Sequence, residues 1–366
     1  MKPIAAVIVL LLATCTLAQT SQPGSSVISP EVHPDRTVTF RIYAPKATEA
    51  ALFADWIPVN TTRAMTHDGK GIWSITQGPL PPGIYIYTFT VDGITMPDPV
   101  NPRIKLRWRT SASTVEVPGD HEYWEPRDVP HGKVEINYGK SAVLNETRAA
   151  WIYTPPGYSH DAAARYPVLY LFHGSNDTAA GWVTVGGANF ILDNLIAEKR
   201  AVPMIVVMPY GHTIPYEAPN AERSKNNALM ERYVIEDLAP MVEQEYRIKP
   251  GRENHAIAGL SMGGGHALQI GLNHLDQFSA IGAFSSATPP SFESNLKKAD
   301  ATDFNEKVNL LWISCGRDDP AFGRWQRLDG VMNDLKIRHT FYPTDGAHTF
   351  TVWRKSLIEF APLLFR

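Results

Sequence analysis

The sequence predicts an antiparallel β-sandwich followed by a mostly parallel β-sheet covered by helices. Three observations carry this expectation. From Thr37 to about Val117, short runs alternating apolar and polar are separated by Pro, Gly, Asn and Asp, with no helical period. Beyond about residue 130 the strand-like runs turn continuously apolar, as in "YPVLYLFHG" and "PMIVVMPYG", the pattern of strands buried on both faces. Amphipathic helical segments separate these runs, and strands alternating with helices imply a parallel sheet.

The elements follow in chain order. Residues 1–18 read as an export signal: Lys2, the short apolar core "IAAVIVLLLA", then small residues ending at Ala18. The expected location is therefore secreted or periplasmic. A lipoprotein anchor at Cys15 is the weaker alternative, because Thr14 suits that site poorly. No later run is long enough for a membrane helix. Residues 19–29 form a leader and 30–118 the sandwich, with strands in "TVTFRIYAP", "EAALFADW", "GIWSITQ" and "GIYIYTFTVDG". Residues 119–132 read as linker, since the prolines of "EPRDVPHG" cannot donate to a ladder.

The second domain spans 133–366. "RAAWIYTPP" is an expected outer strand, "NFILDNLIAEKR" a helix and "RYVIEDLAPMVEQEY" a helix kinked at Pro240. "HAIAGL", "FSAIGAF", "NLLWISCG" and "RHTFYPT" continue the sheet, and "FTVWRKSLIEFAPLLF" closes the chain as a helix.

Composition narrows the function. Net charge is −3 with no block of like charges, so neither nucleic acid nor an anionic surface is an implied partner. After signal removal only Cys315 of the two cysteines remains, which excludes an internal disulfide; its apolar setting implies an inert thiol. Asn60, Asn145 and Asn176 fit the glycosylation pattern, relevant only in a eukaryotic host. "HEYWE" at His121 lacks a second histidine for zinc, and Gly186 and Gly187 follow no strand closely enough for a dinucleotide turn.

The chemistry-bearing stretch is "HAIAGLSMGGGHAL", His255 to Leu268. "GLSMG" fits the G-x-S-x-G nucleophile elbow of the α/β-hydrolase fold, with Ser261 between a buried strand and a helix starting near Met262. A serine nucleophile needs a base, an acid to orient the base, and oxyanion donors. In this fold the acid and then the histidine follow the serine. His348, in the loop "TDGAHTF", is the expected base. His266 lies inside the helix, His274 at its end, and His339 opens a strand. Asp318 and Asp319, just beyond "WISCG", are both candidate acids, with Asp345 a weaker rival too close to His348. The Met262 amide and one from Gly174 or Ser175 are the expected oxyanion donors. His173 is expected to support that turn. Trp182, Tyr210, Phe322 and Trp353 are candidates for the substrate pocket.

These residues resemble a known family. "YPVLYLFHG", "PMIVVMPYG", "AIAGLSMGGG", "WISCGRDD" and "GAHTFTVWRKSLIEFAPLLF" look like the esterases that include carbohydrate esterase family 1, the feruloyl and acetylxylan esterases, related to enterochelin and S-formylglutathione esterases. The resemblance runs from about Lys133 to Arg366. It maps the nucleophile to Ser261 and the histidine to His348. It prefers Asp319 over Asp318, and it implies no metal or cofactor. The front domain resembles a carbohydrate-binding module of family 48, an immunoglobulin-like domain, with Trp56 and Trp108 as its freer aromatics; the resemblance leaves open whether it binds sugar or serves only as a structural wall beside the esterase cleft. The implied function is hydrolysis of ester substituents on plant polysaccharide or oligosaccharide. An esterase for a siderophore or another small ester, or a non-catalytic carbohydrate-binding protein, is the alternative.

Overall fold

The computed structural model describes residues 27–58, 60–160, 162–215 and 225–366. The expected export signal, Cys15 and most of the leader lie outside these residues.

Among the described residues, the front domain contains ten short strands: β1 (Glu31–Val32), β2 (Val38–Tyr43), β3 (Ala50–Ala54), β4 (Arg63–Ala64), β5 (Thr66–His67), β6 (Ile72–Gln77), β7 (Gly83–Val91), β8 (Ile94–Met96), β9 (Ile104–Leu106) and β10 (Ser111–Val117). They form one sheet in the order β1-β2-β6-β5 and another in the order β4-β3-β7-β10-β9, with β8 on β7. Alternation directs Val38, Phe40 and Ile42 of β2 inward against Leu52, Tyr87, Phe89 and Val115. Trp73, Tyr85 and Tyr87 are buried in this core. Trp56 is half-buried and packs edge-on against Tyr85.

The second domain is an eight-stranded sheet of β11 (Lys133–Ser141), β12 (Glu146–Thr154), β13 (Val168–Phe172), β14 (Ile205–Pro209), β15 (His255–Leu260), β16 (Ala280–Phe284), β17 (Leu310–Gly316) and β18 (Thr340–Thr344). Their order is β11-β12-β14-β13-β15-β16-β17-β18. The β11–β12 and β12–β14 pairs are antiparallel and the remaining pairs parallel. Every residue of β13, β14, β15 and β16 is buried, as continuous apolar runs require. "RAAWIYTPP" is not outermost, because β11 pairs along its free edge.

Helices α1 (Gly181–Thr184), α2 (Ala188–Ala197), α3 (the consecutive segments Asn226–Arg232, Tyr233–Leu238 and Ala239–Glu245), α4 (Met262–Asn273), α5 (Phe292–Lys298), α6 (Ala301–Lys307) and α7 (Phe322–Asp334) connect these strands, and α8 (Phe350–Phe360) follows the last of them. Instead of a simple kink at Pro240, α3 carries a π-helical stretch over Tyr233–Leu238. Proline has no N–H and its ring crowds the carbonyl four residues back, so the wider winding just before it relieves both problems.

The two domains are bolted together. Arg354 of α8 is fully buried and donates to the carbonyls of Ile84 and Val185 at 3.2 and 2.8 Å. Lys105 of β9 pairs with Asp177 at 2.6 Å, both side chains buried. Trp108 stacks on His212 with ring centroids 4.2 Å apart, which covers one face of its ring. The segment expected as linker is itself docked. Asn194 of α2 donates to the Tyr123 and Glu125 carbonyls, and Arg127 pairs with Glu198.

Candidate active site

Between β15 and α4 stands Ser261, with φ 52° and ψ −116°. A non-glycine residue in this region is strained and persists only where its surroundings hold it. Two glycines let them do so. A Cβ on Gly259 would lie 2.4 Å from the Gly263 carbonyl, and one on Gly263 would lie 2.4 Å from the His173 carbonyl oxygen. Strand, helix and the neighbouring turn can therefore pass this closely only with glycine at both positions. The Ser261 N–H donates to the Phe284 carbonyl at 2.8 Å, which ties the turn to β16.

The loop between β18 and α8 brings His348 to this turn. Its Nε2 lies 3.0 Å from Ser261 Oγ, and its Nδ1 lies 2.7 Å from Asp319 Oδ2. A carboxylate only accepts, so Nδ1 carries the proton and Nε2 offers its lone pair to the serine hydroxyl. Asp319 Oδ1 accepts from the Ala321 N–H at 2.8 Å. Burial works to raise the Asp319 pKa, but the hydrogen bonds from His348 and Ala321 outweigh it and hold the carboxyl below its ordinary range. Of the other acids considered, Asp318 is exposed, and Asp345 is 93% exposed with Arg317 3.6 Å away. Such a chain can take a proton from the hydroxyl onto the imidazole while the carboxylate steadies the ring.

Behind the serine, the turn after β13 is braced by His173. The Gly211 N–H donates to its Nε2 at 2.8 Å, which leaves Nδ1–H to donate to the Gly174 carbonyl at 2.8 Å. Burial pushes this imidazole down to about 3, so it stays neutral in that role. His266 is fully buried, with Nε2 near the Gly211 carbonyl and Asn226, while His274 pairs with Glu231 at 3.0 Å. The structure thus gives neither histidine a partner at Ser261. Burial pushes the Cys315 thiol up to about 12, consistent with an inert side chain.

A cavity of about 220 Å³ opens over Ser261 and His348, with Gly174, Ser175, Leu260, Phe350 and Trp353 in its wall. Met262 begins α4, where the first amides of a helix have no partner within it. Among the aromatic pocket candidates only Trp353 reaches the cavity, edge-on to the His348 ring at 5.0 Å. Trp182 is a correction. It is fully buried, donates to the Phe172 carbonyl at 3.0 Å, and packs on Phe284 and Phe350 as part of the core. Tyr210 lies against His173 and His212 beneath Arg148, and Phe322 packs against Phe341 at the start of α7; neither lines the cavity. Asn176, one of the three glycosylation-pattern asparagines, is exposed at the rim of this cavity. A larger hollow of about 830 Å³, lined by Leu268, Phe292 and Phe304 among others, contains none of Ser261, His348 and Asp319.

The family model described as "Putative esterase" matches residues 141–364, which include all the side chains of this hydrogen-bonded chain. The chain belongs to that esterase family. The chain is 29% identical to an endo-1,4-beta-xylanase/feruloyl esterase of Xylanibacter ruminicola over 94% of its own length and 47% of the relative's. It thus spans about half of that relative. A solved ferulic acid esterase matches 63% of this chain and 97% of its own, at 28% identity and a TM-score of 0.56. The enterobactin esterase of Shigella flexneri is similar in fold, with a TM-score of 0.68, 18% identity and coverage of 89% and 92% of the two chains. Among the described residues, no helix is long and apolar enough to cross a membrane.

Sequence reasoning missed Asp177, Leu260, Thr349 and Phe350 of the cavity wall, and with them every residue that the front domain supplies. Asp55, Ile86, Lys105 and Arg107 also line the cavity above Ser261. The sequence of β9 pointed the other way: Lys105 is 3% exposed, whereas its apolar neighbours Ile104 and Leu106 are 39% and 58% exposed. An apolar–basic–apolar strand reads as basic outward, unless another domain covers that face.

Proposed function

We propose that this esterase is an exported serine hydrolase that removes ester substituents, feruloyl or acetyl, from plant polysaccharide or its fragments. The hydrogen-bonded run from Ser261 through His348 to Asp319, open to a ligand-accessible cavity, carries the reading. In this mechanism Ser261 Oγ attacks the ester carbonyl while His348 Nε2 takes its proton and Asp319 holds the imidazolium. The Met262 amide, with that of Ser175 or Gly174, stabilises the oxyanion. His348 then returns the proton to the departing sugar oxygen. Water, deprotonated by the same nitrogen, releases the acid from the serine.

The polysaccharide substrate is supported by likeness to the Xylanibacter ruminicola protein and to the ferulic acid esterase. Export rests on the apolar N-terminal stretch. The test incubates purified protein, and its Ser261→Ala variant, with acetylated and feruloylated xylan and identifies the released acid by mass spectrometry. Release by the wild type and none by the variant is expected. Release of neither acid by the wild type would sink the cell-wall reading, and full activity of the variant would sink the nucleophile.

A further inference from the structure

The cavity wall facing Ser261 belongs to the sandwich. Its polar groups there are Asp55, Lys105 and Arg107, beside Ile86. Lys105 is committed, because its Nζ pairs with Asp177 and sits 5.0 Å from the Phe350 ring centroid. Arg107 is not. Among the described residues its guanidinium makes no hydrogen bond or ion pair, although it is only partly exposed. Asp55 Oδ2 accepts the Ile86 N–H at 2.9 Å, and Oδ1 has no such partner among the described residues. Burial pushes the Arg107 pKa down, with Asp55 and Asp177 opposing it through space. A partly desolvated donor and an acceptor with spare capacity therefore face the same small cavity, where such groups call for a partner.

We infer that the front domain completes the substrate pocket, with Arg107 as donor and Asp55 as acceptor binding a hydroxyl group of the ester substrate. The inference rests on the esterase reading above. The charge balance favours a neutral group over a carboxylate. At neutral pH the cations Lys105 and Arg107 are matched by Asp55 and Asp177, which leaves no excess positive charge to draw an anion. A hydroxyl accepts one hydrogen bond and donates another, so it satisfies both side chains at once. The remaining wall, from Ile86, Leu260, Phe350 and Trp353, is apolar. At about 220 Å³ the cavity is smaller than the roughly 300–1,000 Å³ of drug-sized sites, and suits one ring rather than an oligosaccharide. The hydroxyl is then either a phenol on the acyl ring or a hydroxyl of the esterified sugar.

The test compares kcat/KM for methyl ferulate, methyl cinnamate and feruloyl arabinose in the wild type, Arg107→Gln and Asp55→Asn. If the bound group is the phenol, the ferulate-to-cinnamate ratio falls about 10- to 100-fold in the variants, the effect of losing a hydrogen bond to a charged group. If it is a sugar hydroxyl, the ratio of feruloyl arabinose to methyl ferulate falls instead. Ratios cancel differences in folded fraction, and the two variants test separate side chains. Both ratios staying within about twofold of wild type, in variants that still cleave the esters, would overturn this inference and leave the esterase reading standing. A wild type that cleaves none of the esters would overturn both.

Discussion

Replacing Asp319 with Asn tests the proposed mechanism at its most revealing atom. The side chain has two acceptor oxygens with different partners: Oδ1 takes the Ala321 N–H at 2.8 Å and Oδ2 takes His348 Nδ1–H at 2.7 Å. Asparagine has one oxygen and one NH₂. The backbone N–H of Ala321 cannot change its role, so the amide oxygen must stay at Oδ1 and the NH₂ must face His348. That NH₂ donates to Nδ1, which moves the ring proton to Nε2 and points it at Ser261 Oγ, 3.0 Å away. The imidazole then cannot accept the serine proton, although the shape of the site is unchanged. The same tautomer error in a Ser-His-Asp enzyme costs about 10⁴ in kcat, or roughly 5 kcal/mol of barrier. The assay is kcat on p-nitrophenyl acetate at pH 7, with circular dichroism to check folding. A folded Asp319→Asn protein within about tenfold of the wild-type rate would refute the assignment of Asp319 as the orienting acid.

Three further outcomes are expected. Lys105→Met leaves the Asp177 carboxylate buried without its cation, so urea unfolding should show a loss of about 3–5 kcal/mol, partly recovered in Lys105→Met/Asp177→Asn. Gly263→Ala drives a methyl group to 2.4 Å from the His173 carbonyl and 2.6 Å from Phe172 Cβ, so it should lose about 1–3 kcal/mol in the same assay. Burial holds His173 down to about 3 and His266 to about 4, whereas the unfolded chain protonates near 6.5. The unfolded state therefore binds more protons below that pH. The contribution is complete above 6.5 and is lost on acidification, about 2 kcal/mol per histidine at pH 5, which a thermal melt series from pH 7 to 4.5 measures.

The sheet, its helices and the hydrogen-bonded chain at Ser261 were legible because their signals are local. A continuous apolar run says that both faces are covered, and G-x-S-x-G states the turn and its close approaches within five residues. The acid was legible only as a pair, because Asp318 and Asp319 share one loop and tertiary burial alone separates them. Pocket aromatics were less legible. Trp182 and Trp353 both lie near helix starts after a loop, yet one fills the core and the other faces His348. The front domain's share was the least legible, since Lys105 finds its partner 72 residues away in the other domain and inverts the pattern of its own strand. This difference has a physical cause. Moving a proton needs atoms within hydrogen-bond reach, which one sheet edge can supply from three neighbouring loops. Recognising a substrate needs a second wall, and here that wall is a separate domain, held by the Lys105–Asp177 pair and by Arg354 reaching to the Ile84 and Val185 carbonyls. Substitutions at these contacts should therefore change which ester is chosen before they change how an ester is cleaved.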